Sequence, residues 1–314
     1  VRYGIGIDFT RPVPDVIEEV RQAAEAGLHA AVGSQIFGYD TLTLLALAGH
    51  EVPDIELVTA VIPTYPRHPM ALAAQALTVQ AATGGRLTLG IGLSHKVVIE
   101  SVFGQSFDKP ARHMREYLSI LLPALRGEQV AFQGETLSAT AFGPIEVDAP
   151  APPVLLAALA PQMLRMAGAE ADGTVTWMVG RSTLADHITP SITRAAEEAG
   201  RPAPRVAVSL PVSVTADVDA ARADAATEFA IYGQLPSYRA MLDREGVEGP
   251  ADVAIVGDED TVLAGIAAVV DGGATDFYGM TYGPEENQAR TTTLLAGLAK
   301  DAGGGPGGAG GRGG

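Results

Sequence analysis

The sequence predicts an α/β fold, a (β/α)8 barrel with an insertion after strand 4. Two observations carry that prediction: short apolar strand patterns alternate with helical ones, and ~300 residues remain once a glycine-rich tail is set aside, the usual size of such a barrel. Arg2–Asp8 (RYGIGID) reads as a buried strand. Val16, Ile17, Val20, Ala23 and Ala24 then recur at helical spacing within Pro14–Ala26, and Gly27 stands where a helix ends. The second unit is a strand at His29–Ser34, a loop and an apolar helix near Thr41–Ala48; the third is a strand at Ile55–Ile62 and a helix at Met70–Ala82. Arg86–Gly92 (RLTLGIG), the fourth strand, ends in paired glycines.

The alternation then pauses for an extra amphipathic helix, Lys109–Arg126, and a short polar hairpin, Gln129–Ser138. It resumes with a strand at Pro153–Ala158, a helix at Pro161–Ala169, a strand at Thr174–Val179 and a helix at Leu184–Ala199. Arg205–Thr215 alternates strongly as a seventh strand, with helices around Val218–Ile231 and Ser237–Arg244 after it. Thr261–Asp271 is a helix before the last strand, Thr275–Met280, and Glu285–Lys300 closes the series. Eight parallel strands with crossover helices argue against a sandwich. An open doubly wound sheet yields a similar string, and periodicity does not separate the two. Gly303–Gly314 holds nine glycines, too little apolar surface to offset ordering entropy, so a disordered tail is expected beyond a single domain of residues 1–302.

Composition narrows the chemistry. Across 314 residues, 21 Lys and Arg face 37 Asp and Glu, a formal net charge of −16. Such a field repels phosphate backbones and anionic headgroups, so neither nucleic acid nor a membrane surface is expected as a partner. Without cysteine there is no disulfide, thiolate metal site or Cys nucleophile. The uncharged stretch 68–85 is broken by Pro69, Gln75, Thr78, Gln80 and Thr83 and does not read as a bilayer span. No basic region leads into an apolar run at the N-terminus, so a cytoplasmic protein is expected.

Several motifs are missing. Gly4-Ile5-Gly6 and Gly90-Ile91-Gly92 lack the third glycine of a dinucleotide fingerprint, and there is no GxxxxGK loop. His50-Glu51 has no second histidine one turn on, and no GxSxG elbow occurs, so no metal site or serine hydrolase is expected. In a barrel, chemistry belongs at the C-terminal strand ends. Those ends here are Asp8, Ser34-Gln35, Thr59 to Pro63, Gly92 to His95, Ala158 to Pro161 and Trp177 to Gly180. Small, apolar and amide groups dominate, as expected for a slot holding a flat organic cofactor with its own reactivity.

Four runs, GSQIFGYDTLTLLALAG (33–49), LVTAVIPTYPRHP (57–69), GGRLTLGIGLSH (84–95) and PPVLLAALAPQML (152–164), resemble the bacterial luciferase-like monooxygenase superfamily, and within it the branch using the deazaflavin coenzyme F420. They occur in family order, and the likeness spans residues 1 to 300 or so. The resemblance implies a luciferase-like TIM barrel, coenzyme F420 or alternatively FMN as cofactor, and a homodimer. At Thr59, Ala60 and Val61 it implies a cis peptide, Ala60–Val61, whose bulge backs the ring; the same residues also read as plain buried strand. His95, after Gly92 and Ser94, falls where relatives place a polar group near the reacting carbon, and an imidazole there is the candidate catalytic proton donor. Ser34 and Gln35 replace acidic and histidine residues of relatives, so only hydrogen bonding to the ring is expected of them.

Ala158, Leu159 and Ala160, with Pro161 opening a helix, offer free N–H groups to a phosphodiester. Trp177, the sole tryptophan, is expected to border the cofactor or to be ordinary core. Tyr65 and Arg67 are candidates for substrate binding, Arg67 also reading as a solvated loop cation, and His113 is expected to face the extra helix. The function expected is hydride transfer between deazaflavin and a small organic substrate: C=C or C=N reduction, or alcohol oxidation. The alternatives are an FMN-dependent monooxygenase and a non-catalytic ligand-binding barrel.

Overall fold

The computed structural model describes residues 1–303. The expected tail lies outside them from residue 304 onward, and Gly303 itself ends the last helix. Eight strands form the ring: β1 (Arg2–Gly6), β2 (Ala30–Gly33), β3 (Glu56–Thr59), β4 (Leu87–Gly92), β5 (Val154–Leu156), β6 (Gly173–Trp177), β7 (Arg205–Val214) and β8 (Asp276–Thr281). Each pairs in parallel with the next, and β8 returns to β1 with Arg2 opposite Asp276, so the sheet closes and the open-sheet alternative falls. β7 outruns the ring, and its far end carries a further parallel strand, Ile255–Gly257, which the sequence pattern did not show.

The helices follow the apolar stripes. α1 (Val13–Glu25) buries Val16, Val20 and Ala23 against the strands. α2 (Thr41–Glu51) starts at Asp40, whose carboxylate accepts from Thr43 N, and α3 (Pro69–Ala82) starts at a proline. After β4 come a short helix, α4 (Lys96–Ser101), and the extra helix, α5 (Pro110–Leu125). The hairpin pairs Ala131–Gln133 with Ser138–Thr140. Glu116 of α5 holds its turn, accepting from the backbone N–H groups of Glu135, Thr136 and Leu137 at 3.0, 2.7 and 2.9 Å. Burial works against that carboxylate, but these bonds and one from the Thr136 hydroxyl outweigh it and hold its pKa down at about 2.

Two expected helices are interrupted. Leu184–Ile188 is a π turn leading into α7 (Thr189–Glu198), where Pro190 lacks the N–H that a regular ladder needs; α6 (Pro161–Glu170) precedes it. α8 (Val218–Glu228) gives way to a 3-10 segment, Ala230–Gln234, and Pro236 then opens α9 (Pro236–Glu245). Two further long helices, α10 (Glu259–Asp271) and α11 (Glu285–Gly303), follow, and Arg181–Thr183 and Pro250–Val253 are short helical turns.

Inside the ring, Ala30, Val32, Val58, Leu155, Val175, Ala207 and Tyr278 pack together. Tyr278 fills the middle because Gly4 opposite has no side chain: a Cβ there would sit 2.9 Å from the Tyr278 ring and 2.7 Å from Ala30 O. The N-terminal end is closed by charge. Arg205 donates to Glu56 at 2.9 Å and to Asp276 at 2.5 Å, while Arg2 donates to Glu56 from outside at 2.6 Å. Desolvation opposes the Arg205 charge, and the bonds to Asp276 and Glu56 more than offset it.

Candidate active site

The C-terminal mouth is built around a break in β3. The strand ends at Thr59, the Ala60–Val61 peptide is cis, and pairing resumes at Ile62–Pro63 against Ile91 and Gly92. That break strands the ladder groups of Gly90, and the Thr59 hydroxyl satisfies both: it accepts from Gly90 N and donates to Gly90 O, each at 2.8 Å. Glycine is required opposite the bulge, since a Cβ on Gly90 would lie 1.9 Å from Thr59 O and one on Gly92 2.7 Å from Val61 Cγ2. Thr59 is fully buried, so it supports the bulge from behind, whereas Ala60 and Val61 are partly open to the mouth. Ser34 donates to Ala60 O at 2.7 Å and fixes the bulge from the β2 side.

The opposite wall is aromatic. Trp177, at the end of β6, meets Phe229 and Tyr232 edge-on at 5.8 and 5.6 Å between ring centres. Tyr232 meets Tyr238 at 5.3 Å, and Tyr238 tilts against His95 at 5.5 Å. The segment 229–238 thus links the β6 end to the β4 end. Sequence reasoning missed Phe229, Tyr232 and Tyr238, because aromatics on helical pattern carry no strand-end signal. The indole N–H of Trp177 and the hydroxyl of Ser209, its neighbour on β7, are buried without partners. Ser94 adopts φ 60° and turns the chain so that His95 stands at the start of α4. Burial lowers the His95 pKa below the usual imidazole value, so the ring is neutral near pH 7 and offers a neutral N–H donor, not a standing positive charge.

At the β5 end, Ala158 is buried, Leu159 is half-buried and Ala160 is exposed. Ala160 begins α6 with no side-chain cap, leaving first-turn N–H groups for an anion. His187, from the π turn, bonds Leu159 O at 2.8 Å and holds this loop; its distance in sequence hid it.

Three expected binding residues make local contacts. The Gln35 amide donates to Ile36 O and Tyr39 O and accepts from Thr41 N at 2.9 Å, so it organises the loop into α2. Arg67 pairs through Nη2 with Asp40, the residue that also caps α2 and accepts from Gln75, while its Nη1 is buried without a partner. Tyr65 lies flat on His113, ring centres 3.9 Å apart, with its hydroxyl unpartnered and burial pushing its pKa up to about 12. His113 is buried, bonds the Thr64 hydroxyl at 3.1 Å, and has its pKa pushed down to about 4 by burial. Among the described residues there is no cluster of His, Asp or Glu able to hold a metal, and no helix is long and apolar enough to cross a membrane.

The mouth therefore carries a backbone bulge on β3, an aromatic run from the β6 end to the β4 end, and an uncapped helix start at the β5 end. Comparison with known proteins agrees with the fold. An uncharacterised protein of Mycobacterium tuberculosis is 31% identical over 222 residues, 66% of this chain and 65% of that protein, so this chain spans somewhat under two thirds of that relative. An F420-dependent glucose-6-phosphate dehydrogenase of Nakamurella multipartita is 29% identical over 70% of this chain and 65% of its own. Among solved structures, an F420-dependent secondary alcohol dehydrogenase holding an F420–acetone adduct superposes with a TM-score of 0.81 at 16% identity, covering 95% of this chain and 97% of that one. An FMN-bound type II Baeyer–Villiger monooxygenase of Pseudomonas putida does so at 0.74 and 18%, covering 95% and 96%. Both share the fold. The family model described as luciferase-like monooxygenase matches residues 4–276, and the chain belongs to that family.

Proposed function

We propose that this chain is an oxidoreductase that binds coenzyme F420 at the C-terminal mouth and moves hydride between it and a small organic substrate. The observation that carries the reading is the mouth itself. Ala60 and Val61 stand partly open at the break in β3, Gly92 and Ala157 lie beside that break, and buried polar atoms on Trp177 and Ser209 lack partners that a ring carbonyl or ring nitrogen would supply. The F420-dependent dehydrogenase relative supports deazaflavin over FMN.

When bound, the deazaflavin supplies two-electron hydride chemistry. The chain's residues do the rest. Ala60 and Val61 back one face of the slot, Trp177 walls the other side, and the α6 start with Leu159 and Ala160 receives the phosphodiester. His95 hydrogen-bonds at the reacting end through its neutral ring. The aromatic segment 229–238 excludes water from that end.

Titrating the full chain with F420 and separately with FMN, and following Trp177 fluorescence, tests the assignment. Saturable quenching by F420 and none by FMN is expected. Quenching by FMN alone makes the protein a flavin enzyme, and no response to either overturns the slot. F420 binding without turnover of any reducible substrate leaves a ligand-carrying barrel.

A further inference from the structure

We propose that Met280 is the floor of the mouth, the side chain on which a bound coenzyme ring rests, and that its thioether is a site of reversible oxidation by peroxide which the bound coenzyme shields. The inference rests on the proposed function only for the identity of the shield; the place of Met280 in the barrel comes from the chain alone.

Side chains alternate along β8, so positions 276, 278 and 280 share its inward face. Asp276 belongs to the ionic plug, Tyr278 fills the middle of the ring, and Met280 comes next toward the mouth. There it packs on the inner cluster together with Ala60 and Val61, the two residues of the cis peptide, and all three are only partly buried. Because the plug shuts the base of the ring, what these side chains leave exposed faces the mouth. β1 makes room for the thioether: a Cβ on Gly6 would run into Met280 Sδ and sit 3.3 Å from its Cε, so the sulfur lies over bare backbone. An unbranched, polarisable side chain suits that place, since it fills an irregular gap and packs favourably on an aromatic ring.

Exposure sets Met280 apart. Of the seven methionines, Met114, Met163, Met166, Met178 and Met241 are buried. Met70 shares the partial exposure of Met280, but it lies outside the ring, at the start of α3. Hydrogen peroxide is small and uncharged, so the acidic surface does not repel it. The sulfur lone pair attacks one peroxide oxygen, the O–O bond breaks and an S–O bond forms. The proton on that oxygen goes to the departing hydroxide, which leaves as water; the thioether is oxidised to the sulfoxide and the peroxide is reduced. The product sets a polar oxygen in a layer made of Ala60, Val61 and the Gly6 backbone, against the face of an incoming ring. Methionine sulfoxide reductases reverse the change.

The test is peroxide treatment of the full chain, followed by mass spectrometry of its methionine peptides and by F420 titration on Trp177 fluorescence. In the bare chain, Met280 and Met70 should gain oxygen well before the five buried methionines. Saturating F420 should slow oxidation of Met280 about tenfold or more and leave Met70 unchanged, and the oxidised chain should bind F420 about tenfold more weakly. Met280→Leu should bind F420 as the parent does and keep that affinity after the same treatment. Oxidation of Met280 no faster than that of the buried five, or equally fast with and without bound F420, overturns the proposal. So does an oxidised chain of unchanged affinity, or a Met280→Leu variant that loses affinity as the parent does. An untreated chain that binds no F420 removes the coenzyme assignment and the shield with it, and the oxidation site is then decided by the bare-chain rates alone.

Discussion

The two ends of the barrel are made of opposite materials. At the N-terminal end every charge inside the ring has a partner: Arg205 is shared between Glu56 and Asp276, and the Thr88 hydroxyl donates to Glu56. At the C-terminal end the strands finish in uncharged residues, Gly6, Gly33 and Gly92 among them, and Trp177, Ser209 and Ser213 keep buried polar atoms without partners. One end is satisfied by the chain itself, and the other is left for something else to satisfy. The contrast locates stability and function on one axis without reference to any relative.

Breaking the satisfied end should cost most. Asp276→Ala removes half of the carboxylate support of Arg205 and leaves a partly buried cation on Glu56 alone, so a loss of about 3 kcal/mol in urea unfolding is expected. A loss below 1 kcal/mol would mean that water reaches the plug. Next is the acid limb of stability. His113 is buried neutral with a pKa of about 4, well under its unfolded value of about 6.5, so the unfolded chain binds the extra proton first. Stability conferred by the neutral ring is present above pH 6.5 and is lost as pH falls toward 4, by about 3 kcal/mol. Glu116, with its pKa near 2, extends the loss below pH 4.5. His113→Phe should flatten the first part of that profile in chemical denaturation and leave the second.

At the unsatisfied end, Ala160→Glu sets a carboxylate at the α6 start. F420 affinity should fall at least 100-fold by Trp177 fluorescence while the melting temperature stays within a few degrees. The smallest effect is expected from Ser209→Ala, which deletes an unpartnered hydroxyl. Stability should be unchanged or rise by up to about 1 kcal/mol, whereas coenzyme affinity drops severalfold. A stability loss as large as that of Asp276→Ala would erase the distinction between the ends.

The parallel strands were legible because buried strands are short apolar runs, and the barrel's size followed from their number. Closure was not, since pairing Arg2 with Asp276 joins residues at opposite ends of the sequence. LVTAVI carries no periodic sign of its break; only resemblance pointed to Ala60–Val61. The strand-end rule found Trp177 and His95 but not the aromatics that join them, because Tyr232 and Tyr238 reach the mouth from helical segments. Gln35 and Arg67 show the converse limit. A polar residue near a strand end is a ligand candidate until its local partners are known, and here backbone carbonyls and Asp40 claim them first.

The ionic plug around Arg205 has a kinetic corollary. A tube shut at its base offers a single doorway, so traffic through it is sequential. Whichever occupant lies deeper arrives first and departs last.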